Sequence, residues 1–374
     1  MKLKKIKFIT DGIVNYNLLQ KIKPIGPTEL QINITYLCNS RCKMCNIWKM
    51  KPTNEIRFEE WRKIMCDPIF KNIQKLTITG GEPTLHQQMS ELIKLYIDSM
   101  PKLFSLTIVT NGFLTDRLIS ETKKNSKLCK KRNIDLKIFV SLDGLDEIHN
   151  KVRGIKNAFQ KTSSSILKLK ALEKKYDFKV SAGGLINKIN LNKIEEVEAW
   201  CKKHKIPFNY IIIGFHDTYV RNLDRKSSVD FEKKDKNNLF FLLKKLSLRY
   251  SILKPKTYLN AFYWGDILNM YKNKSPRTTP CPFLVDAFVI DSFGDVYYCL
   301  SERKIGNFKK GSSVSEIYFN KKNLNFRKKI AELSCSTCNS GCFVPSGLAK
   351  DFRKVFVFYL KSFFPRFFFN KKGE

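Results

Sequence analysis

No stretch of about 18 uninterrupted apolar residues occurs in this 374-residue chain, so nothing in it reads as a bilayer-spanning helix. Lys2, Lys4, Lys5 and Lys7 open the chain, but Asp11, Gly12 and Asn15 interrupt the residues after them. No apolar run of signal-peptide length forms, and no secretory signal is read. Acidic side chains are scarce: 34 Asp and Glu stand against 69 Lys and Arg, for a net charge of +35. Such an excess suits anionic partners such as nucleic acid, an anionic membrane surface or phosphorylated substrates. It is equally what solvated lysine would give in a composition also rich in Asn and Ile. No RNA-binding module and no basic motif with base-stacking aromatics is present, so nucleic acid is not an expected partner. About 28 residues precede the first strand-like segment, too few for a separate leader-peptide recognition domain, which a separate partner would then have to supply.

What is present is a globular composition, 43% hydrophobic and 13% aromatic, in a length that suggests one large domain with a smaller appendage. Eight of the eleven cysteines fall into two clusters with metal-ligand spacing. That pattern indicates metal sites in a reducing, cytoplasmic setting and not a disulfide framework. Cys66, Cys129 and Cys201 stand alone on predicted helices and read as ordinary packed or surface cysteines.

Strand-like and helix-like segments alternate, the pattern of a parallel α/β sheet. Strands are expected at 30–36, 75–79, 105–110, 136–142, 179–185 and 208–214. Amphipathic helices are expected at 58–65, 89–99, 114–130, 158–175 and 191–203, after a short helical piece at 14–22. Six βα repeats in about 190 residues suit a partial (βα)6 TIM-type barrel, open on one side. In such a barrel chemistry collects at the C-terminal strand ends. The loop Cys38-Asn39-Ser40-Arg41-Cys42-Lys43-Met44-Cys45 follows the first strand and Gly80-Gly81-Glu82-Pro83 the second. Asn111-Gly112 follows the third strand and Asp143-Gly144 the fourth. Four unusual loops therefore share one rim.

Cys38, Cys42 and Cys45, spaced C-x3-C-x2-C, can hold three irons of a cubane and leave the fourth open to a small molecule. A zinc knuckle would want a nearby fourth Cys or His, and Cys66 and His86 are not at that spacing. The spacing after a strand resembles the radical S-adenosylmethionine (SAM) superfamily. The resemblance implies a [4Fe–4S] cluster whose open iron is chelated by SAM, and an electron donor such as flavodoxin or ferredoxin. It implies reductive cleavage of SAM to a 5′-deoxyadenosyl radical that abstracts hydrogen from substrate. It also implies that Gly80, Gly81 and Glu82 receive the methionine amino group, Glu82 by orienting the loop or accepting a hydrogen bond. Asn111, Ser141 and Asp143 would line the SAM site. The run Ser141-Leu142-Asp143-Gly144 to His149, Arg153 and Gly154 looks like that of members with a C-terminal SPASM or twitch extension. Arg153 could meet a carboxylate of SAM or substrate, or be a solvated surface arginine; His149 reads as structural. Met44 replaces an aromatic common in the family and can still pack against cluster or adenine.

The second set, Cys281, Cys299, Cys335, Cys338 and Cys342, resembles the SPASM/twitch extension, with a Gly-turn hairpin bringing Cys281 and Cys299 together. One auxiliary [4Fe–4S] cluster on four of the five is expected, with Cys335 or Cys342 as the natural spare; a zinc ribbon is the alternative. Leu300 stands where sulfatase-maturing members carry Asp, which argues against formylglycine-type oxidation. The expected organisation is a basic leader (1–28), the barrel (29–214), a helical cover (215–280), the cysteine-rich domain (281–347) and a tail (348–374). The cover should contain a helix at 233–251 with Leu239, Leu242, Leu243 and Leu246 on one face. In the tail, Phe352, Val355, Phe356, Tyr359, Leu360, Phe363 and Phe364 form one helical stripe beside Arg353, Lys354 and Lys361. That amphipathic helix suits an anionic membrane interface, giving a cytoplasmic protein peripheral to the inner face of the membrane. The substrate class expected is a peptide or a sugar or lipid-linked intermediate. RNA modification and a non-catalytic Fe–S or zinc protein are the competing functions.

Overall fold

The computed structural model describes residues 2–249, 256–341, 343–351, 353, 356–358 and 360. Six parallel strands, β1 (Glu29–Asn33), β2 (Lys75–Thr79), β3 (Ser105–Thr110), β4 (Asp135–Ser141), β5 (Lys179–Ile186) and β6 (Phe208–Ile212), lie side by side in chain order. The helices are α1 (Lys2–Asn17), α2 (Phe58–Ile64), α3 (Met89–Ser99), α4 (Thr115–Lys131), α5 (Asp146–Arg153), α6 (Ala158–Tyr176) and α7 (Ile194–Lys203). They continue with α8 (Lys226–Val229), α9 (Lys236–Ser247), α10 (Lys256–Asn273), α11 (Val314–Phe319), α12 (Lys321–Leu333) and α13 (Val344–Lys350). Register explains the layering. Leu30, Leu76, Leu106 and Leu136 are opposite one another, as are Ile32, Ile78, Ile108 and Ile138, and both rows are buried in the core that includes Trp61, Tyr96 and Leu169. Residues on the other face of the same strands, among them Gln31, Thr77, Thr107, Phe139 and Gly183, line a cavity. The barrel interior is thus open on the face that a side-chain-filled barrel would pack.

The cysteine-rich segment joins this sheet directly. Its hairpin, β7 (Ala287–Asp291) and β8 (Asp295–Tyr297), followed by β9 (Gly306–Asn307), extends the sheet beyond β1. β7 runs parallel to β1, with Leu30 opposite Phe288 and Ile32 opposite Ile290. At the other edge, Leu239, Leu242, Leu243 and Leu246 of α9 pack with Ile186, Ile212, Trp264 and Ile267 beside β6. The helix expected at 233–251 is α9, which starts at Lys236 and ends at Ser247.

Several local expectations shift. The helix expected at 14–22 begins at Lys2, because Phe8, Gly12 and Tyr16 recur every four residues and form a buried face. α5, α8, α10 and α11 to α13 lie outside the helices expected from sequence. Cys129 and Cys201 are buried on α4 and α7, whereas exposed Cys66 lies in a turn just beyond α2. Most of the expected tail stripe lies outside the described residues. Phe358, off that stripe, packs edge-on against Tyr258 and Phe262 at centroid distances of 6.3 and 5.7 Å. No described helix is long and apolar enough to cross a membrane.

Candidate active site

The loop 38–45 rests on the C-terminus of α5. The Arg41 and Lys43 N–H groups donate to the Arg153 and Val152 carbonyls, both at 2.9 Å, and Ser40 Oγ donates to Arg153 O at 3.1 Å. Gly154 ends α5 at φ 64°, and a Cβ there would lie 2.3 Å from Arg41 O. The Arg153-Gly154 pair is therefore a seat for the cysteine loop. Gly154→Ala is expected to lower stability by about 2 kcal/mol or more, from left-handed strain plus this overlap, and to reduce bound iron after anaerobic reconstitution. Thermal melting and iron counting check it.

The other rim loops converge on the same point. Gly80 (φ 146°) and Gly81 lie against the strand-one exit, where a Cβ on either would meet Thr35 O or Leu37 O at 2.2 Å. The Gly81 and Glu82 N–H groups donate to those same two carbonyls at 2.7 Å. The glycines are thus required by the chain's own close approach, while both line the cavity. Buried Glu82 accepts from Thr84 N, Thr84 Oγ1, Thr110 Oγ1 and Asn111 N at 2.7–3.2 Å. Burial raises its carboxyl above the ordinary range, and these donors pull it back. With four donors on it, Glu82 orients loops. Asn111 Nδ2 donates to Asn39 Oδ1 at 2.7 Å, tying the third loop to the cysteine loop. Ser141 sits half-buried on the cavity wall.

Arg153 is buried, which removes the reading of a solvated surface arginine. Its Nη2 lies 2.6 Å from Asp143 Oδ2, and its Nη1 donates to Cys42 Sγ at 3.6 Å. Burial would lower its pKa, but Asp143 and Cys42 together raise it above the ordinary value. Asp143 Oδ1 also accepts from Leu185 N at 2.8 Å. His149 is buried and held neutral, its pKa pushed well down by burial and by Arg153. Its Nδ1 accepts from Asp143 N–H at 3.1 Å, so Nε2 carries the proton toward Thr162, whose hydroxyl donates to Asn111 O. Burial pushes the Cys38 and Cys45 thiols up to about 12, Cys42 adding to both. A bare thiolate is costly there and a positive metal centre would repay it.

Two loops that sequence reasoning left unassigned also clamp the site. Buried Asn222 donates through Nδ2 to Met44 O and Gly214 O, each at 3.0 Å. Tyr219 Oη donates to Gly80 O at 2.7 Å, and Asn190 Nδ2 donates to Asp143 O at 2.8 Å. These residues follow β6 and β5, so the same rule that singled out the first four loops could have found them.

In the second set, Cys281, Cys299, Cys335 and Cys338 all line the same cavity as Cys38, Cys42 and Cys45, which measures about 2660 Å³. Cys299 is raised by burial first, then by Cys281, Cys338 and Cys335 close by. Cys335 is likewise pushed up to about 12. Arg277 serves this set as Arg153 serves the first: its Nη1 donates to Cys338 Sγ at 3.4 Å and to the Cys338 and Ser340 carbonyls. Cys342 lies outside the described residues. Leu300 is also on the cavity wall.

The donor sets fit iron–sulfur groups. Each has soft thiols and one guanidinium to offset thiolate charge, and Glu82 and Asp143, the acidic groups nearest the first set, are already engaged. Among the described residues, no three Cys, His, Asp or Glu groups gather as closely as ligands of one metal ion; ligands spread over cubane corners need not.

The family model for the radical SAM superfamily matches residues 32–223, and that for SPASM, an iron–sulfur cluster-binding domain, matches 281–339. The chain is 26% identical over 334 residues to the cysteine-type anaerobic sulfatase-maturating enzyme of Clostridium novyi, covering 82% of this chain and 84% of that one. It is 29% identical over 243 residues to GTP 3′,8-cyclase of Campylobacter jejuni subsp. doylei, covering 61% and 73%. Streptococcus suis SuiB bound to S-adenosylmethionine shares the fold at TM-score 0.57 and 16% identity, over 89% of this chain and 78% of that one. Native anSMEcpe with bound AdoMet does so at TM-score 0.56 and 18% identity, over 91% and 98%. A [4Fe–4S] cluster and SAM, with auxiliary iron–sulfur binding in the SPASM part, are the cofactors these matches carry. With its signature running through the whole βα rim and both flanking clamps, the chain belongs to the radical SAM superfamily.

Proposed function

We propose that this radical SAM enzyme oxidises a carbon–hydrogen bond of a peptide held in the cavity between its two cysteine sets. The observation that carries the reading is that one cavity is lined by both sets. Cys38, Cys42 and Cys45 would hold the SAM-binding cluster, and Cys281, Cys299, Cys335 and Cys338 could supply the auxiliary one, with Cys342 outside the described residues. When bound, the first cluster supplies the electron that cleaves SAM to a 5′-deoxyadenosyl radical able to abstract hydrogen. The chain's own contribution is placement. Gly80 and Gly81 bring main chain to the SAM amino group, with Tyr219 fixing the Gly80 carbonyl. Asn111 and Ser141, both on the cavity wall, would border the nucleoside. Arg153 holds Cys42 and Asp143 together, and its buried Nε, without an acceptor among the described residues, can meet a carboxylate.

A peptide is favoured because a relative named as a cysteine-type sulfatase-maturating enzyme spans 82% of the chain, and SuiB, which shares the fold, is seen bound to precursor peptide SuiA. Leu300, where sulfatase-maturing members carry Asp, directs the reading away from formylglycine formation. A sugar or lipid-linked substrate is the second reading, favoured by the net charge of +35. A flavodoxin- or ferredoxin-type donor, a cytoplasmic location and membrane attachment through the tail belong to the same proposal.

Anaerobic reconstitution with iron and sulfide, followed by metal counting and a reductive assay, tests the assignment. About eight irons per chain, two cubanes, and release of 5′-deoxyadenosine are expected. Bound zinc with no 5′-deoxyadenosine overturns it.

A further inference from the structure

The cysteine-lined rim occupies the C-terminal ends of the strands; α1 packs at their opposite ends. One face of α1, Phe8, Gly12 and Tyr16, is buried against α13, and Gly12 leaves room for the Lys350 stem, which a Cβ there would meet at 2.4 Å. The other face carries exposed apolar side chains among polar and basic ones. Leu3, Ile6, Thr10 and Val14 recur at three- and four-residue steps, and Leu18 and Ile22 continue them through the following turn. All six are exposed, Leu3 by 81%, Leu18 by 61% and Ile22 by 80%. Exposed apolar side chains interspersed with lysines suit a lipid–water interface, and the protein core covers only the opposite face of α1.

Charge says what covers the other side. Exposed Lys4, Lys7, Lys21 and Lys23 flank the stripe, and Asp11 is the single acidic residue among positions 1–28. We propose that the outer face of α1 and its following turn lies in the interface of an anionic membrane. Leu3, Ile6, Val14, Leu18 and Ile22 sit at the acyl boundary and the lysines meet lipid phosphates. This surface is independent of the tail. Ile22 and Lys23 also line the lower reach of the cavity, so the lipid-facing surface is continuous with it.

Co-sedimentation of the full reconstituted chain with vesicles tests this without any catalytic readout. Binding is expected to vesicles of phosphatidylcholine mixed with phosphatidylglycerol and not to phosphatidylcholine alone. The triple variant Leu3→Glu, Ile6→Glu, Leu18→Glu is expected to cut the bound fraction about tenfold or more, with an unchanged thermal midpoint. Phe241→Glu, an exposed apolar site on α9, should bind as the parent does. Should the triple variant fail to fold, Lys4→Glu with Lys7→Glu decides, by abolishing the preference for phosphatidylglycerol. Failure of the parent to bind anionic vesicles overturns the proposal, as does undiminished binding by the altered chains. So does loss of binding on deleting 361–374 with none in the triple variant, or a parent dimer that the triple variant dissociates while vesicle binding persists.

Discussion

Cys42→Ala is expected to reduce 5′-deoxyadenosine release to background and to remove about four irons per chain, while iron at the second set remains. In the proposed assignment three thiols supply the first cluster, so losing one would leave two corners held and no stable cubane. Cys42 is also the thiol that the surrounding structure serves most closely, with Ser40 Oγ at 3.0 Å and Arg153 Nη1 at 3.6 Å from its sulfur. Its removal leaves that guanidinium opposite Asp143 alone. Arg153→Met tests the support separately. Loss of a group that orients a ligand costs about 10–100-fold in metal affinity or activity, so its release of 5′-deoxyadenosine should fall in that range. Cys129→Ala, buried on α4 away from the rim, should release 5′-deoxyadenosine at the parental rate. Parental activity in Cys42→Ala, or equal loss in Cys129→Ala, would remove the first cysteine loop from the chemistry.

The rim was legible because its signals are local. A cysteine loop, a double glycine, Asn111-Gly112 and Asp143-Gly144 each follow an alternating apolar run, and the strand rule then sends them to one end. What those residues do there was less legible. The Gly80–Gly81 pair read as bare backbone for a ligand, yet its first duty is the close approach to Thr35 and Leu37. Arg153 had surface and ligand readings, and its tie to Asp143 and Cys42 depends on positions far apart in the chain. The hairpin at 287–297 was visible as a hairpin, but no periodicity announces that β7 will pair in parallel with β1. Register with a strand some 260 residues earlier is a tertiary fact. The start of α1 escaped because Lys2, Lys4, Lys5, Lys7, Asp11 and Asn15 interrupt its apolar residues and blur the stripe on which helix reading relies.

The basal end of the sheet holds the second large effect. Lys350, fully buried on α13, donates to Glu29 Oε1 at 2.8 Å and Asp286 Oδ2 at 2.6 Å, and both carboxylates are themselves buried. Its ammonium also lies 4.2 Å from the centre of the Phe8 ring, and Tyr16 Oη donates to Asp286 at 2.8 Å. One lysine thus fastens the first helix, the first strand, the start of β7 and the last described helix. Lys350→Met leaves two buried carboxylates with less compensation. The cost of breaking a buried pair is about 3–5 kcal/mol. At roughly 2.1 cal/mol/K of unfolding entropy per residue over a chain this long, that is a thermal-midpoint fall of about 4–6 °C. The pH dependence gives the mechanism. Burial opposes ionisation of Glu29, but Lys75 and Lys350 outweigh it and hold the carboxyl below its ordinary value. Its contribution is therefore full above the unfolded value of about 4.3 and is lost as pH falls through the folded one. Lys350 is held above its ordinary value, Glu29 and Asp286 outweighing burial, so its contribution persists below about pH 10.4 and fades only at higher pH. In Lys350→Met, protonating Glu29 relieves the uncompensated charge. The gap between parent and variant should be widest near neutrality and narrow as pH approaches 4. Melting curves across that range that run parallel would show that Lys350 acts by packing alone.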